Sequence, residues 1–219
     1  MAQRECKRDE TERGDIRASP GSKIMSKTLE TSDDLARSII NKRVSDITND
    51  EIIKQVQRVL ADNFVTEPPV RVDKIALNYV DAVLSVPFPE GFQRVSGYID
   101  FEGDAKQIVV NQLEPTPRQA FTIAHELGHL MLHADLLKDD PDSGILYRRP
   151  IGVLNEDLAE RQANFFAANL LVPKSFLDRY RNLMPTLDAE AADKLAVVFG
   201  VSSEVMRFRF KSLYGTRVK

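Results

Sequence analysis

Three histidines occur in the 219 residues of the sequence, and all three fall within nine positions, at His125, His129 and His133. The first two frame the pattern His125-Glu126-x-x-His129. If this stretch is helical, residues four apart share a face, so both imidazoles can reach one cation. Glu126 then lies beside that cation without completing its coordination, placed to take a proton from a water. The competing reading is a surface helix that carries two histidines by chance. A catalytic zinc takes three protein ligands and keeps one position open, so a third ligand has to come from elsewhere in the chain.

The extension H-E-x-x-H-x-x-G-x-x-H does not supply it, because Leu132 and Asp135 stand where Gly and His would be. His133 is one turn past His129 and points about 80° away from His125. That direction suits the rim of a site, or the layer behind its ligands, better than ligation. Glu160 is the stronger candidate, 31 residues beyond His129. It belongs to a helix expected from an N-cap at Asn155 to about Val172, stopped by Pro173. The apolar stripe of that helix runs through Ala163, Ala167, Leu170 and Leu171, and it also takes in Glu160 and Asn164. A carboxylate and an amide on a buried stripe need partners. Glu160 would complete a His-His-Glu set. Asn164, four residues on, can hydrogen-bond a ligand imidazole and fix its tautomer. Glu156 lies near the same stripe, but in the first turn, where acidic residues serve the helix dipole.

Around these residues the chain reads in order. Residues 1–30 are polar and charged, broken by Gly14, Pro20 and Gly21, and are expected to be a disordered tail. Met25, just before the first structured-looking segment, is an alternative start. A helix is expected from Ser32 to Lys42, and a better-marked one follows the capping box Thr48-Asn49-Asp50-Glu51, with Ile52, Ile53, Val56, Val59 and Leu60 on its apolar face. Val72 to Val80 reads as a third helix. Strands are expected at 82–87, 95–101 and 106–112, the last two joined by a hairpin turn at Glu102-Gly103-Asp104. Such a pair can offer an edge to an extended peptide, or simply cover the core. The histidine helix starts near Pro117 or Arg118. Gly128 inside it costs roughly 1 kcal/mol against Ala, which implies close approach of backbone or substrate. Residues 139–150 read as a loop. The organisation expected is a tail at 1–30, N-terminal helices at 31–67, a core at 68–180 and a C-terminal helix-turn-helix-like hairpin at 181–219. The fold class is α+β, mostly helical, with a small antiparallel sheet.

Net charge is -3 and the isoelectric point about 5.7, so no strongly basic balance advertises nucleic-acid binding. The helices at 186–199 and 203–213, joined at Gly200, are spaced like a helix-turn-helix. The second carries Arg207, Arg209 and Lys211, followed by Arg217 and Lys219. Val205, Met206, Phe208 and Phe210 interrupt them, so a packed hairpin or a docking surface for a protein partner outweighs direct DNA contact through 186–213. The single cysteine, Cys6, excludes an internal disulfide and a zinc ribbon. The N-terminus has no apolar signal region and no stretch is apolar enough to span a membrane, so a cytoplasmic protein with no membrane partner is expected.

Two signatures together resemble a known family. Arg118-Gln119-Ala120-Phe121-Thr122-Ile123-Ala124-His125-Glu126-Leu127-Gly128-His129 and Glu160-x-x-Ala163-Asn164-x-Phe166-Ala167-x-x-Leu170-Leu171-x-Pro173 are similar to the ImmA/IrrE metallopeptidases. So are Val95 to Asp100, Ile108 to Asn111, and Leu195-Ala196-x-x-Phe199-Gly200-Val201-Ser202. The resemblance covers about residues 70–213. It implies a bacterial or mobile-element protein with a zincin-like core, which cleaves a helix-turn-helix repressor to derepress a mobile element or a stress response. By the same matching, His125, His129 and Glu160 would ligate Zn2+, or another divalent metal such as Mn2+, and Glu126 would be the catalytic base. His133, Tyr98 and Tyr147 are the candidates for stabilising an oxyanion. The alternative is a non-catalytic antirepressor or toxin-antitoxin component with a merely structural metal site. Glu126 speaks against it, since a structural site needs no base and usually has four protein ligands.

Overall fold

The computed structural model describes residues 42, 44–90, 95–102, 105–137, 156–184 and 186–215, all within the compact unit Ile39–Lys219. The tail, nearly all of the helix expected from Ser32, Gly103 and Asp104, the loop at 139–150 with Tyr147, the cap Asn155, and Arg217 and Lys219 lie outside the described residues.

Helix α1 (Asn49–Asp62) starts where its capping box requires. Thr48 Oγ1 accepts from the Glu51 backbone N–H, and Glu51 Oε2 accepts from the Thr48 N–H at 2.8 Å. Its apolar face buries Ile52, Val56, Val59 and Leu60. The next helix, α2 (Val72–Ala76), is shorter than the expected span to Val80. Beyond Ala76 the chain tightens into i→i−3 turns at Asn78 and Tyr79, the Asn78 amide donates to Asn63 Oδ1, and the Asp81 N–H joins Lys106 of the sheet. These bonds take the chain off the helical path into β1.

Strands β1 (Ala82–Val86), β2 (Gly97–Glu102) and β3 (Ala105–Asn111) form one sheet in the order β1-β3-β2. The expected antiparallel pair is present, running from Gly97 opposite Val110 to Glu102 opposite Ala105. β1 joins β3 in parallel, from Ala82 opposite Gln107 to Val86 opposite Asn111, so the sheet is mixed. A parallel neighbour requires a crossover. Here the chain passes from β1 to the far edge before β3 returns through the middle.

The motif helix α3 (Thr116–Leu137) packs on this sheet and on α4 (Glu156–Leu171). Ile99, Ile108 and Val110 meet Ile123, Ala124 and Leu127 in one apolar core with Phe166, Ala167 and Leu170. The same core takes Ile52 and Val56 from α1. Gly128 marks a close crossing of α3 and α4. A Cβ there would stand 3.3 Å from both Cα and O of Ala163 and 3.1 Å from the Phe166 ring. The close approach expected at this glycine is therefore that of the α4 backbone. Gly128→Val is expected to cost about 1–3 kcal/mol by overpacking, seen as a lower Tm. It should also weaken metal binding, because it parts the two helices that carry the site.

Helix α5 (Lys174–Arg181) begins directly after Pro173 and buries Phe176 and Leu177, so the proline expected only to stop α4 also starts the next helix. Helices α6 (Ala189–Phe199) and α7 (Ser203–Tyr214) form the expected C-terminal hairpin, capped by Asp188 and Ser202. Gly200 between them has φ 66°, a left-handed conformation that favours glycine. Arg209 is not available to a phosphate. It is 1% exposed, and its Nε donates to the Val172 carbonyl at 3.1 Å. Arg207 pairs with Asp193 at 3.0 Å. Among the described residues no helix is long and apolar enough to cross a membrane.

Candidate metal centre

His125 and His129 leave α3 one turn apart, and Glu160 meets them from α4. One donor atom from each lies within 4.8 Å of the others. Nε2 of His125 and Nε2 of His129 are 3.0 Å apart. Glu160 Oε2 stands 3.2 Å from the first, and Glu160 Oε1 stands 3.2 Å from the second. Two imidazole nitrogens and a carboxylate thus aim electron pairs at one point. Neutral imidazoles facing each other at this distance share at most one proton between them, whereas a divalent cation accepts from all three. The donor set fits such an ion, and its N2O chemistry suits zinc.

The surrounding residues hold these donors in place. His125 Nδ1–H donates to Asn164 Oδ1 at 3.1 Å, which leaves its Nε2 turned toward Glu160. His133, expected at the rim or behind the ligands, is 1% exposed and lies behind His129, their Nδ1 atoms 3.2 Å apart. Its Nε2 faces Gln162 Oε1 at 3.0 Å. Both ring nitrogens are engaged in the interior, so His133 does not serve as an oxyanion donor in the cleft. Tyr98 lies on β2 beside the Phe88 ring, centroids 5.8 Å apart. Gln162 carries no motif of its own in the sequence. The one available signal was His133 itself, a histidine one turn behind a metal-type histidine and in need of a partner.

Glu126 is 3% exposed, and its Oε2 has no hydrogen-bond partner among the described residues. Burial pushes its carboxyl up to about 7, against a smaller opposing pull from His125. Burial likewise pulls His129 down to about 4, only partly offset by Glu160. At His125 burial is the largest influence and would lower the pKa, but the hydrogen bond to Glu160 and the two nearby carboxylates leave it raised. Burial would raise Glu160, yet the imidazoles of His125 and His129, each with Nε2 3.2 Å from one of its oxygens, hold it far below the usual carboxylate range. Burial keeps His133 neutral, its pKa lowered. The site therefore combines a buried acid–base group near neutrality with a fixed carboxylate.

A helix bearing H-E-x-x-H, seated on a short sheet with a carboxylate supplied by a second helix, is the arrangement by which metallopeptidases of this type are recognised. The family model of peptidase M78, described as the IrrE N-terminal-like domain, matches residues 90–211, and the chain belongs to that family. The family is one of metallopeptidases, which implies a divalent metal. The chain is similar to the uncharacterized immunity region protein 2 of Bacillus phage phi105, 29% identical over 115 residues, or 52% of this chain. It is also similar to the metallopeptidase ImmA of Bacillus subtilis (strain 168), 26% identical over 122 residues, or 55% of this chain. The matched region spans 65% of the length of each of these relatives. A Mycobacterium tuberculosis transcriptional regulator shares the fold over 83% of this chain and 52% of its own, with a TM-score of 0.52 and 18% identity.

Proposed function

We propose that this protein is a zinc-dependent endopeptidase of the cytoplasm that cleaves a protein substrate, a helix-turn-helix transcriptional repressor, to derepress a mobile element or stress response. The observation that carries the reading is the meeting of His125, His129 and Glu160 beside the buried carboxyl of Glu126, whose Oε2 has no hydrogen-bond partner among the described residues. His125, His129 and Glu160 would hold the cation, with Mn2+ as the alternative ion. When bound, the cation acidifies a water and polarises the scissile carbonyl. Glu126, buried beside the three donors, takes the proton of the attacking water and returns it to the leaving amine. Asn164 and His133 keep the imidazoles oriented.

The kinship with a metallopeptidase and with a phage immunity-region protein supports a substrate of the repressor class. Two surfaces suit a polypeptide. β2 pairs only with β3 among the described residues and so keeps an edge to which an extended peptide can add. A groove of about 740 Å³, which Asn164 shares with the site, is lined by Phe121, Leu158, Phe165 and Phe208 and flanked by Arg118 and Arg161. The test is co-expression of the full chain with a candidate helix-turn-helix repressor from the same genome. Cleavage that stops on chelation and returns with Zn2+ is expected. An intact repressor at full metal occupancy would favour the antirepressor reading instead.

A further inference from the structure

The orientation of His129 can be followed through a chain of hydrogen bonds to the segment before α1. Gln162, 5% exposed, has its Nε2 at 2.9 Å from the Val44 carbonyl and 3.1 Å from the Ile47 carbonyl. Two carbonyl oxygens accept only from N–H, so this end is the NH2 and Oε1 must face His133. His133 Nε2 therefore donates to Gln162 Oε1. A neutral imidazole carries one N–H, which leaves His133 Nδ1 as an acceptor. His129 Nδ1–H then donates to it, and the Nε2 of His129 is left with its lone pair toward Glu160. Each bond dictates the direction of the next, starting from two backbone carbonyls.

We infer that Gln162 and His133 are positioning residues that set the metal-binding tautomer of His129, and that the Val44–Ile47 segment anchors them. This segment lies outside the matched family region 90–211, so a part of the chain beyond the family domain contributes to the metal affinity of the site. The inference rests on the reading of His129 as a ligand. Its neighbourhood favours a directional role over simple packing. His133 and Gln162 sit in an interior where an apolar pair would fill the space without any demand for hydrogen bonds, and every hydrogen-bonding atom of the two is used. Partners of this kind behind a ligand imidazole typically change metal affinity about 10–100-fold.

The experiment uses the full chain and two readouts. Zn2+ affinity is measured by competition with a chromophoric chelator, and the tautomer of His129 in the metal-free protein by 15N NMR of the imidazoles. Wild type should show His129 protonated at Nδ1. Gln162→Met and His133→Leu should lose that signature and bind Zn2+ about 10–100-fold more weakly. His133→Gln, whose carbonyl can accept from His129 while its NH2 donates to Gln162, should recover most of the affinity. Wild-type affinity and tautomer in folded Gln162→Met, or equal affinity in His133→Gln and His133→Leu, would overturn the inference. Should Gln162→Met fail to fold, the two His133 variants decide. His129→Ala separates the premises: undiminished Zn2+ binding there removes the ligand assignment, while the tautomer measurement still judges the relay.

Discussion

Glu126→Gln is expected to lower kcat/KM on the protein substrate by about 10²–10⁴, the usual contribution of a general base, while leaving Zn2+ stoichiometry unchanged. Burial is the reason. Glu126 is 3% exposed, faces no described hydrogen-bond donor at Oε2, and has its carboxyl pushed to about 7. Glutamine keeps the shape and removes the proton exchange, so chemistry is lost without disturbing the three donors beside it. The same burial predicts the stability of the metal-free protein. Folded Glu126 holds its proton up to about 7, whereas the unfolded chain releases it near 4.5. Between these values the folded state binds more protons, so this group's contribution to stability falls as pH rises. The variant lacks that loss, and its Tm should gain on wild type from pH 4.5 to 7, measured in the presence of chelator. Cleavage within about tenfold of wild type would remove Glu126 from the role of base. Loss of zinc would show instead that the substitution had damaged the site.

The parts of the molecule written in local patterns could be read from the sequence, and those set by distant contacts could not. The capping box at Thr48, the Gly200 turn and the apolar stripe of α4 each depend on neighbours a few residues away. The structure places α1, α6, α7 and α4 accordingly. Glu160 and Asn164 could be singled out because a carboxylate and an amide on a buried stripe need a reason to be there. Gln162 gave no such sign, since its partners Val44 and Ile47 are more than a hundred residues away. The parallel pairing of β1 is equally silent, because strand alternation fixes which face a residue takes but not which neighbour its strand finds. At Pro173 the missing N–H and fixed φ end α4, and the same residue caps the start of α5, a second role that the stop rule alone does not reveal. The missing turn of α2 follows from Asn78, whose bond to Asn63 spans 15 residues.

Glu160→Gln tests the site from its other side and should reduce Zn2+ affinity by more than the roughly 10–100-fold typical of a supporting residue. Glu160 is the one anionic donor of the three, and its two oxygens stand 3.2 Å from His125 Nε2 and His129 Nε2. An amide in its place offers a neutral oxygen to one imidazole and an N–H to the other, which has to turn away from a cation. Ligand binding to the folded state raises stability by about 2.7 kcal/mol at a concentration one hundred times Kd. Wild type should therefore show a zinc-dependent rise in Tm that chelation reverses, and Glu160→Gln should show little. Undiminished zinc occupancy in the variant would move the third ligand to Glu156, at the start of the same helix. Loss of metal with His125 and His129 intact would show that two imidazoles one turn apart do not hold the ion alone. The carboxylate from α4 then ties catalysis to the tight α3–α4 crossing at Gly128, and any change that parts the two helices should cost metal before it costs the fold.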